Sequence, residues 1–367
     1  GGMYQKPVRQ FVRMDSPFRV LITGFEPFGG HDTNISQLVV SGMSGRRTLR
    51  CPWQGAALNV VAEVDTLSVD ARGAQRTAER LLRGERWDAI LHVGLCDTCE
   101  VPRIERLAQD KLDMRLPDNA GRCLTGSVID GQGDRGCWVD PTVWQPEAFP
   151  GPYDLSVDAG TYLCNETYHA TLAAAVEVAG SSPLPPPVLF LHLPGEKHMP
   201  LHKAEAFVDA CTAHLLRPYP EEPVHVVAAA LRGVDGYLIT RRARNEADGG
   251  EWEFPGGKCE NDEAWSQTVV REIQEELALE VNPFHPLGSW YRAKEGGSFV
   301  IHLVACEEVN PEIEPSLTVH DALKWLDEGF KDVLRWAGRD GEMNDFVQTH
   351  ITPKSSPHRP RSSNGRR

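Results

Sequence analysis

The stretch that decides the fold of the second half of the chain is GGKCENDEAWSQTVVREIQEELAL, residues 256–279. On a helix, Glu272, Glu275 and Glu276 occupy positions i, i+3 and i+4, so their carboxylates share one face. Three carboxylates this close repel one another unless a divalent cation lies among them, and oxygen ligands suit Mg²⁺ or Mn²⁺. The ordinary alternative is a solvated acidic helix face, which is what most runs of charge are.

The same stretch resembles the signature box of the Nudix hydrolases, with the spacing G-x5-E-x7-R-E-x-x-E-E met at every charged position. The flanking segments LITRRA and WEFPGGK are similar to the branch that hydrolyses nucleoside triphosphates. The resemblance covers about residues 223–335 and implies an α/β/α Nudix fold with a mixed sheet. It implies catalytic roles for Arg271 and Glu275 and a phosphate contact for Arg242. It also implies four metal-binding groups, namely the carbonyl of Gly256 and the carboxylates of Glu272, Glu275 and Glu276.

Two positions depart from the Nudix pattern. Ala278 stands where the box has its late glycine, and Val319 stands where many members carry a glutamate that serves as base or as an additional metal ligand. Asp321 or His320 could replace that acid, or turnover could be lost and a nucleotide-binding module remain. Glu263 is either a further metal ligand or a cap of its helix.

In the first half of the chain, Cys164 begins an alanine-rich segment that we interpret as a helix. The partial positive charge at a helix N-terminus favours a thiolate. His192, at the end of a predicted buried strand, can serve as proton carrier, with Glu105 orienting its imidazole. A buried structural thiol is the alternative for such a cysteine.

Four ordered blocks resemble the pyroglutamyl peptidase I family, also called pyrrolidone carboxyl peptidases. They read GFEPFGG, then ERLA together with RLPDN, then DAGTYLCN, then FLHLP. They span about residues 18–217 and imply a three-layer α/β/α domain with a mostly parallel sheet. The third and fourth blocks contain the nucleophile and the histidine, so the resemblance implies a triad of Glu105, Cys164 and His192.

The resemblance also implies an apolar slot for a flat lactam ring. Phe25 and Phe28 would form its wall, Asn34 would support the loop, and Leu116 would face the ring. Three features beside this pocket differ from the family: the CDTC motif at residues 96–99, the GEKH motif at residues 195–198, and a segment rich in Gly, Pro and Trp at residues 121–157 that lacks the family's helix. We therefore expect a rebuilt substrate cover, and a packing role for the two cysteines of CDTC.

Composition limits the classes of function. The chain has 367 residues, 38 Lys and Arg against 52 Asp and Glu, and a formal net charge of −14, so it is a poor general binder of nucleic acid. No apolar run reaches the roughly 20 residues of a membrane span, and the first residues lack the apolar core of a signal peptide. We expect a cytoplasmic protein that does not enter a membrane, with its nine cysteines reduced.

The sequence predicts two domains. Residues 1–17 are interpreted as a tag remnant and an N-terminal extension, and residues 352–367 as a disordered basic tail. The remaining boundaries are 18–217 for the peptidase-like domain, 218–223 (PYPEEP) for a linker, and 224–351 for the Nudix domain with its C-terminal helix. That last helix is predicted near residues 318–336, and each domain is expected to fold alone.

The leading hypothesis is a bifunctional hydrolase. One domain would hydrolyse a pyroglutamyl or related lactam or amide substrate, and the other, with Mg²⁺ or Mn²⁺, a substrate linked to a nucleoside diphosphate or triphosphate, to a monophosphate product. The rival hypothesis makes the Nudix domain a nucleotide sensor that regulates the peptidase-like domain. Both partners are small molecules, no specific nucleic acid is expected, and a homo-oligomer is left open.

Overall fold

The structure is a computed structural model, and it describes residues 16–180, 182, 184–233, 236–244, 249–260, 263–326 and 333–351. The expectations for residues 1–15 and 352–367, which include the tag remnant and the basic tail, lie outside the described residues. Among the helices that the described residues form, none combines the length and apolarity that crossing a membrane requires.

The first domain alternates strands and helices. Its strands are β1 (Phe18–Phe25), β2 (Gly45–Arg50), β3 (Ala57–Leu67), β4 (Ala89–Cys96), β5 (Arg103–Glu105), β6 (Leu107–Ala108), β7 (Arg135–Gly136), β8 (Asp154–Ser156) and β9 (Val188–Pro194). Its helices are α1 (Ile35–Ser41), α2 (Ala71–Leu82), α3 (Leu163–Ala179) and α4 (Leu201–Leu216). Seven strands form one sheet in the order β2-β3-β1-β4-β9-β5-β8, and β6 pairs with β7.

The centre of this sheet is parallel, because β1 pairs in parallel with β3 and β4, and β4 with β9. Helices cover both faces: α1 and α4 pack on one, α2 and α3 on the other. A strand covered on both sides needs apolar residues at successive positions, which is why Val188–Pro194 is buried throughout. The predicted three-layer α/β/α domain is confirmed.

The second domain has a mixed sheet. Its elements are β10 (Val224–Gly233), β11 (Gly236–Arg242), β12 (Trp252–Glu253), β13 (Gly256–Lys258), α5 (Trp265–Leu277), β14 (Val281–Lys294), β15 (Gly297–Glu308), β16 (His320–Leu326) and α6 (Asp340–His350). The strand order is β12-β11-β10-β15-β14, with β13 paired to β10 and β16 to β11. Because α5 and α6 pack on opposite faces, this domain is also an α/β/α layered fold, as predicted.

The prediction of a helix near residues 318–336 is wrong. His320–Leu326 is the strand β16, which pairs antiparallel with β11, and the C-terminal helix begins only at Asp340. Over so short a run, the apolar residues of HDALKWL are compatible with helical spacing and with strand alternation. The unpaired side of β11 favours the strand, because the backbone N–H and C=O groups of β11 need hydrogen-bond partners.

The two hydrophobic cores are not separate. Leu107 of the first domain is fully buried in a cluster whose other buried members belong to the second domain, among them Leu287 and Trp290. Trp138 is buried in the cluster under α5, with its ring centroid 5.4 Å from that of Trp265 and 5.1 Å from that of His302. These shared clusters therefore give no support to the expectation that each domain folds alone.

The segment at residues 121–157 contributes to this interface. A Cβ atom added at Gly136 would lie 2.2 Å from the carbonyl oxygen of Leu287, so β7 approaches the edge strand β14 as closely as backbones can. The Oγ of Ser289 donates to the carbonyl of Cys137 at 3.2 Å. The segment that departs from the peptidase family thus contacts the second domain.

Gly136→Ala should therefore destabilise the protein by about 1–3 kcal/mol, since the new methyl group meets backbone atoms that cannot move aside. Gly151→Ala is the matched control, because a Cβ at Gly151 meets nothing within 4 Å. Urea denaturation of both variants measures the effect. Equal midpoints for the two variants would contradict the close approach of the domains.

Candidate active sites

The structure brings together the three residues of the predicted peptidase triad. Cys164 is the second residue of α3, His192 lies on β9, and Glu105 ends β5, which pairs antiparallel with β9. The Nδ1 atom of His192 lies 2.8 Å from Oε1 of Glu105, and Glu105 is 1% exposed. The imidazole is thus held by a buried carboxylate through Nδ1, which leaves Nε2 available for proton transfer.

The electrostatics favour a charged imidazole. Burial alone lowers the pKa of His192, but its hydrogen bonds to Cys164 and Glu105 and the attraction of their charges outweigh burial, and its pKa rises to about 10. The imidazolium can therefore persist at neutral pH and holds a proton ready for a leaving group.

An apolar pocket lies against the thiol. Its lining includes Phe25, Phe28, Asn34 and Cys164, the residues that the resemblance singles out. Four further lining residues were not singled out from the sequence, namely Val69, Leu95, Tyr162 and Leu163. Leu116 is not among the lining residues. Its side chain is 55% exposed and lies at the rim, 3.8 Å from the place of a Cβ on Gly29.

The pocket wall is supported by two sets of contacts. Asn34 caps α1: its Oδ1 accepts from the backbone N–H of Ser36 at 3.0 Å, and its Nδ2 donates to the carbonyl of Glu26 at 3.2 Å. The ring of Tyr162 lies 6.0 Å from that of Phe28, and its hydroxyl donates to the carbonyl of Pro117 at 3.1 Å. Asn34 thus supports the loop, and Tyr162 closes the opposite side.

The CDTC motif differs from the expectation of reduced thiols. Cys96 and Cys99 form a disulfide at the end of β4, directly after the pocket residue Leu95. The seven other cysteines of the chain are free, Cys164 among them. The spacing of the two cysteines could not distinguish two packed, reduced thiols from a disulfide, because both arrangements require only that the chain turn within four residues.

In the second domain, Arg271 organises the carboxylates of α5. Its guanidinium donates to Glu263 at 2.9 and 3.0 Å, to Glu272 at 2.7 Å and to Glu275 at 3.3 Å. Glu263 also accepts from the hydroxyl of Thr268 at 2.9 Å. Glu263 therefore has the position of a support for Arg271, and Glu275 extends into solvent.

Glu276 points toward β13 instead. Its Oε2 accepts from the N–H of Gly256 at 3.2 Å. Burial raises its pKa to about 7, and the charges of Glu253 and Glu272 add to the rise, while that of His320 lowers it.

The strand β13 lies very close to α5. A Cβ at Gly257 would lie 2.2 Å from the carboxyl carbon of Glu272, and one at Gly256 would lie 2.1 Å from the carbonyl oxygen of Val227. Both glycines of the box are therefore required, because any larger residue would collide with these neighbouring atoms. Carboxylate oxygens are ligands that a divalent cation prefers, and Glu272 and Glu276 both present theirs next to β13. Among the described residues, however, the ligand atoms of Glu272, Glu275 and Glu276 do not all lie within 4.8 Å of one another.

Arg242, predicted to contact phosphate, is paired with a carboxylate. Its Nε donates to Oε2 of Glu253 at 2.6 Å, and Nε2 of the buried His320 lies 3.2 Å from Oε1 of the same side chain. Asp321 lies on the other face of β16 and pairs with Arg241 at 2.6 Å. Of the two residues considered as replacements for the acid missing at Val319, His320 is thus the one near Glu276. Glu253 was missed by sequence reasoning.

A second acidic cluster lies in the first domain. Within the described ranges, Asp110, Asp130 and His169 are the group whose ligand atoms all lie within 4.8 Å of one another. The guanidinium of Arg135 already contacts His169 and pairs with Asp130 at 2.8 Å. Asp110 accepts backbone N–H groups of Ile129, Asp130 and Gly133, so the cluster orders the loop.

Comparison with known proteins agrees with both domains. The model of the pyroglutamyl peptidase family matches residues 18–195, and the NUDIX domain model matches residues 222–337. A pyrrolidone-carboxylate peptidase of Coprothermobacter proteolyticus is 33% identical over 155 residues, which are 41% of this chain and 70% of that protein. One from Saccharolobus islandicus is 26% identical over 231 residues, 62% of this chain and 97% of that protein.

Among solved structures, the pyrrolidone carboxyl peptidase of Thermus thermophilus is similar to 53% of this chain and is covered over 99% of its own length, with 29% identity and a TM-score of 0.39. The two family models together define a two-domain hydrolase. The chain belongs to the pyroglutamyl peptidase family, and its residues 222–337 are a Nudix domain.

The charged state of His192 gives a prediction. In Cys164→Ala the pKa of His192 should fall well below about 10, because burial still lowers it while the contribution of the thiol is lost. In the wild type, a folded-state pKa above the unfolded value of 6.5 means a stabilising contribution that is complete below pH 6.5 and lost as pH rises to about 10.

Titration of the His192 ring by NMR and urea denaturation across that pH range measure both effects. Cys259→Ala, which removes a free thiol of the other domain, is the control and should leave His192 unchanged. An identical His192 midpoint in Cys164→Ala and wild type would disprove the pairing.

Proposed function

We propose that the first domain hydrolyses an amide bond next to a pyroglutamyl or related lactam group, with Cys164 as nucleophile. The observation that carries this proposal is the 2.8 Å contact of His192 with buried Glu105, beside a thiol at the edge of an apolar pocket. The Cys164 thiolate adds to the amide carbonyl, and the His192 imidazolium gives its proton to the leaving amine. Water, deprotonated by His192, then cleaves the thioester and restores the thiol.

The shape of the pocket supports a flat, uncharged ring. Phe25 is 3% exposed, and the rings of Phe28 and Tyr162 lie at 35° to one another across a 6.0 Å centroid distance. A lactam ring can bury apolar carbon against such rings, while backbone groups can bind its N–H and C=O. The disulfide of Cys96 and Cys99 lies beside Leu95, so this side of the pocket is a rebuilt part of the substrate cover.

The nucleophile can be tested by limited treatment with iodoacetamide near neutral pH. Cys164 should be labelled first and amidase activity on a pyroglutamyl amide should be lost in step, because a neighbouring imidazolium stabilises the thiolate. His192→Ala should slow the labelling, whereas Cys123→Ser, which removes an exposed free thiol, should not. Peptide mapping that finds Cys123 modified ahead of Cys164, with activity lost in step, would overturn the assignment.

We also propose that the second domain hydrolyses a substrate linked to a nucleoside diphosphate or triphosphate and releases a monophosphate product. Glu272, Glu275 and Glu276, with the carbonyl of Gly256, would hold Mg²⁺ or Mn²⁺. A bound divalent cation supplies charge neutralisation at the phosphate oxygens. The 3.2 Å bond from the Gly256 N–H to Glu276 and the raised pKa of that carboxyl support these ligands.

The other residues of this site position the carboxylates and the substrate. Arg271 holds Glu272 and Glu275 on one side of α5, and the close approach of Gly257 fixes the Glu272 carboxyl group. Arg242 would bind phosphate oxygens after exchanging its pairing with Glu253. His320, bonded to the same glutamate, lies where it can accept a proton from an attacking water.

Glu276→Gln should abolish metal-dependent hydrolysis of a nucleotide and leave the fold intact, since the change removes a charge whose burial is unfavourable. Glu280→Gln, at an exposed glutamate just after the helix, is the control and should retain activity. Release of phosphate or pyrophosphate from a nucleotide panel, with and without Mg²⁺, is the measurement. An unchanged rate in Glu276→Gln would remove these residues from the site.

The exposed Val319 favours a second function for this domain. Val319 is 48% exposed at the position where related domains carry an acid, and a domain without that acid would bind a nucleotide without hydrolysing it. Saturable nucleotide binding by calorimetry without product release in the same panel, together with a change in amidase rate, would support the sensor.

A further inference from the structure

The triad glutamate belongs to a segment that joins both domains. Glu105 contacts His192 at 2.8 Å, while Leu107, two residues later, is fully buried among side chains of the Nudix domain. Between them, the guanidinium carbon of Arg106 lies 5.1 Å from the ring centroid of Phe346 and 5.9 Å from that of Trp290. A cation over aromatic faces at these distances is attracted to them. The segment therefore has one residue in the peptidase site and the next two in contact with the other domain.

The backbone of this segment is also tied to the second domain. The N–H of Arg106 donates to the carbonyl of Ser156 at 2.7 Å, and its carbonyl accepts from the N–H of Cys137 at 3.3 Å. The carbonyl of Cys137 in turn accepts from the hydroxyl of Ser289, which also bonds Nδ1 of His302 at 2.8 Å. A continuous series of hydrogen bonds thus runs from Arg106 to strands β14 and β15.

The orientation of Glu105 depends on this backbone more than on its own side chain. Its Oε1 contacts His192, but its Oε2 is buried without a hydrogen-bond partner among the described residues. Its carbonyl accepts from the hydroxyl of Tyr168 at 3.1 Å. Because only one carboxylate oxygen is held, the position of the main chain decides where the carboxylate lies.

We propose that the Nudix domain is a positioning part of the peptidase centre, in which Trp290 and Phe346 hold Arg106 so that Glu105 orients His192. Arg106 is then a positioning residue. It touches neither the thiol nor the substrate, and it acts through the backbone of the glutamate beside it. The inference rests on the proposed triad, but its test uses the reactivity of Cys164 rather than any substrate.

The test compares two variants of the full chain that remove the same atoms from the same core. Phe346→Leu removes a ring over Arg106, whereas Phe254→Leu removes a buried ring of the same cluster that has no such contact. The rate of Cys164 alkylation by iodoacetamide is measured by peptide mapping from pH 5 to pH 9. Phe346→Leu should slow alkylation near pH 6 about fivefold, the factor that one cation–π contact of ~1 kcal/mol gives, and Phe254→Leu should not.

Two variants at Arg106 complete the test. Arg106→Lys keeps a cation over the rings and should retain most of the wild-type pH profile, whereas Arg106→Gln should behave as Phe346→Leu does. This pair also remains informative if Phe346→Leu does not fold, because Arg106 is only partly buried.

The inference is overturned if Phe346→Leu and Arg106→Gln both keep the wild-type profile, or if Phe254→Leu changes it to the same extent. The expected change in alkylation without amidase activity on any lactam substrate would support the positioning role and reject the proposed substrate. Amidase activity on a lactam substrate, with unchanged pH profiles of alkylation in all four variants, would support the proposed substrate and reject the positioning role.

Discussion

The arrangement of the two domains depends on one buried carboxylate, that of Asp140. This side chain is fully buried and accepts from the backbone N–H of Tyr291 at 2.8 Å and from the guanidinium of Arg339 at 2.7 Å, both in the Nudix domain. Its own N–H donates to the hydroxyl of Tyr219, in the predicted linker, at 3.1 Å. A buried charge with a missing partner costs about 3–5 kcal/mol. The carboxylate of Asp140 therefore has its guanidinium partner only when the Nudix domain is docked against the first domain.

Much of each site could be predicted from the sequence, since short motifs fix local geometry. Cys164 is near a helix N-terminus because its block is the start of that helix, and Glu272 and Glu276 project from one helix because their spacing is helical. His192 follows a run of apolar residues, and such a run at the centre of a parallel sheet predicts a strand that ends at the site. These features need only the periodicity of a single element.

The interface could not be predicted, because it depends on contacts between residues far apart in the chain. Nothing in the sequence around Leu107 shows that its side chain is buried against Trp290 rather than in its own domain. The strand β16 was missed for the same reason, since its period is decided by pairing with β11. Glu253 was missed because a lone glutamate acquires a role only when Arg242 and His320 face it.

The edge of the Nudix sheet is covered by a segment of the peptidase-like domain. β14 is the last strand of that sheet, and an exposed edge strand invites pairing with other chains unless something covers it. The residues 134–140 cover it: Gly136 is in backbone contact with Leu287, and Trp138 packs under α5. This stretch lies within residues 121–157, the segment that we expect to differ from the peptidase family. The same stretch both covers the edge of the Nudix sheet and contains Cys137, whose N–H donates to the carbonyl of Arg106, beside Glu105, and whose carbonyl accepts from Ser289 of β14.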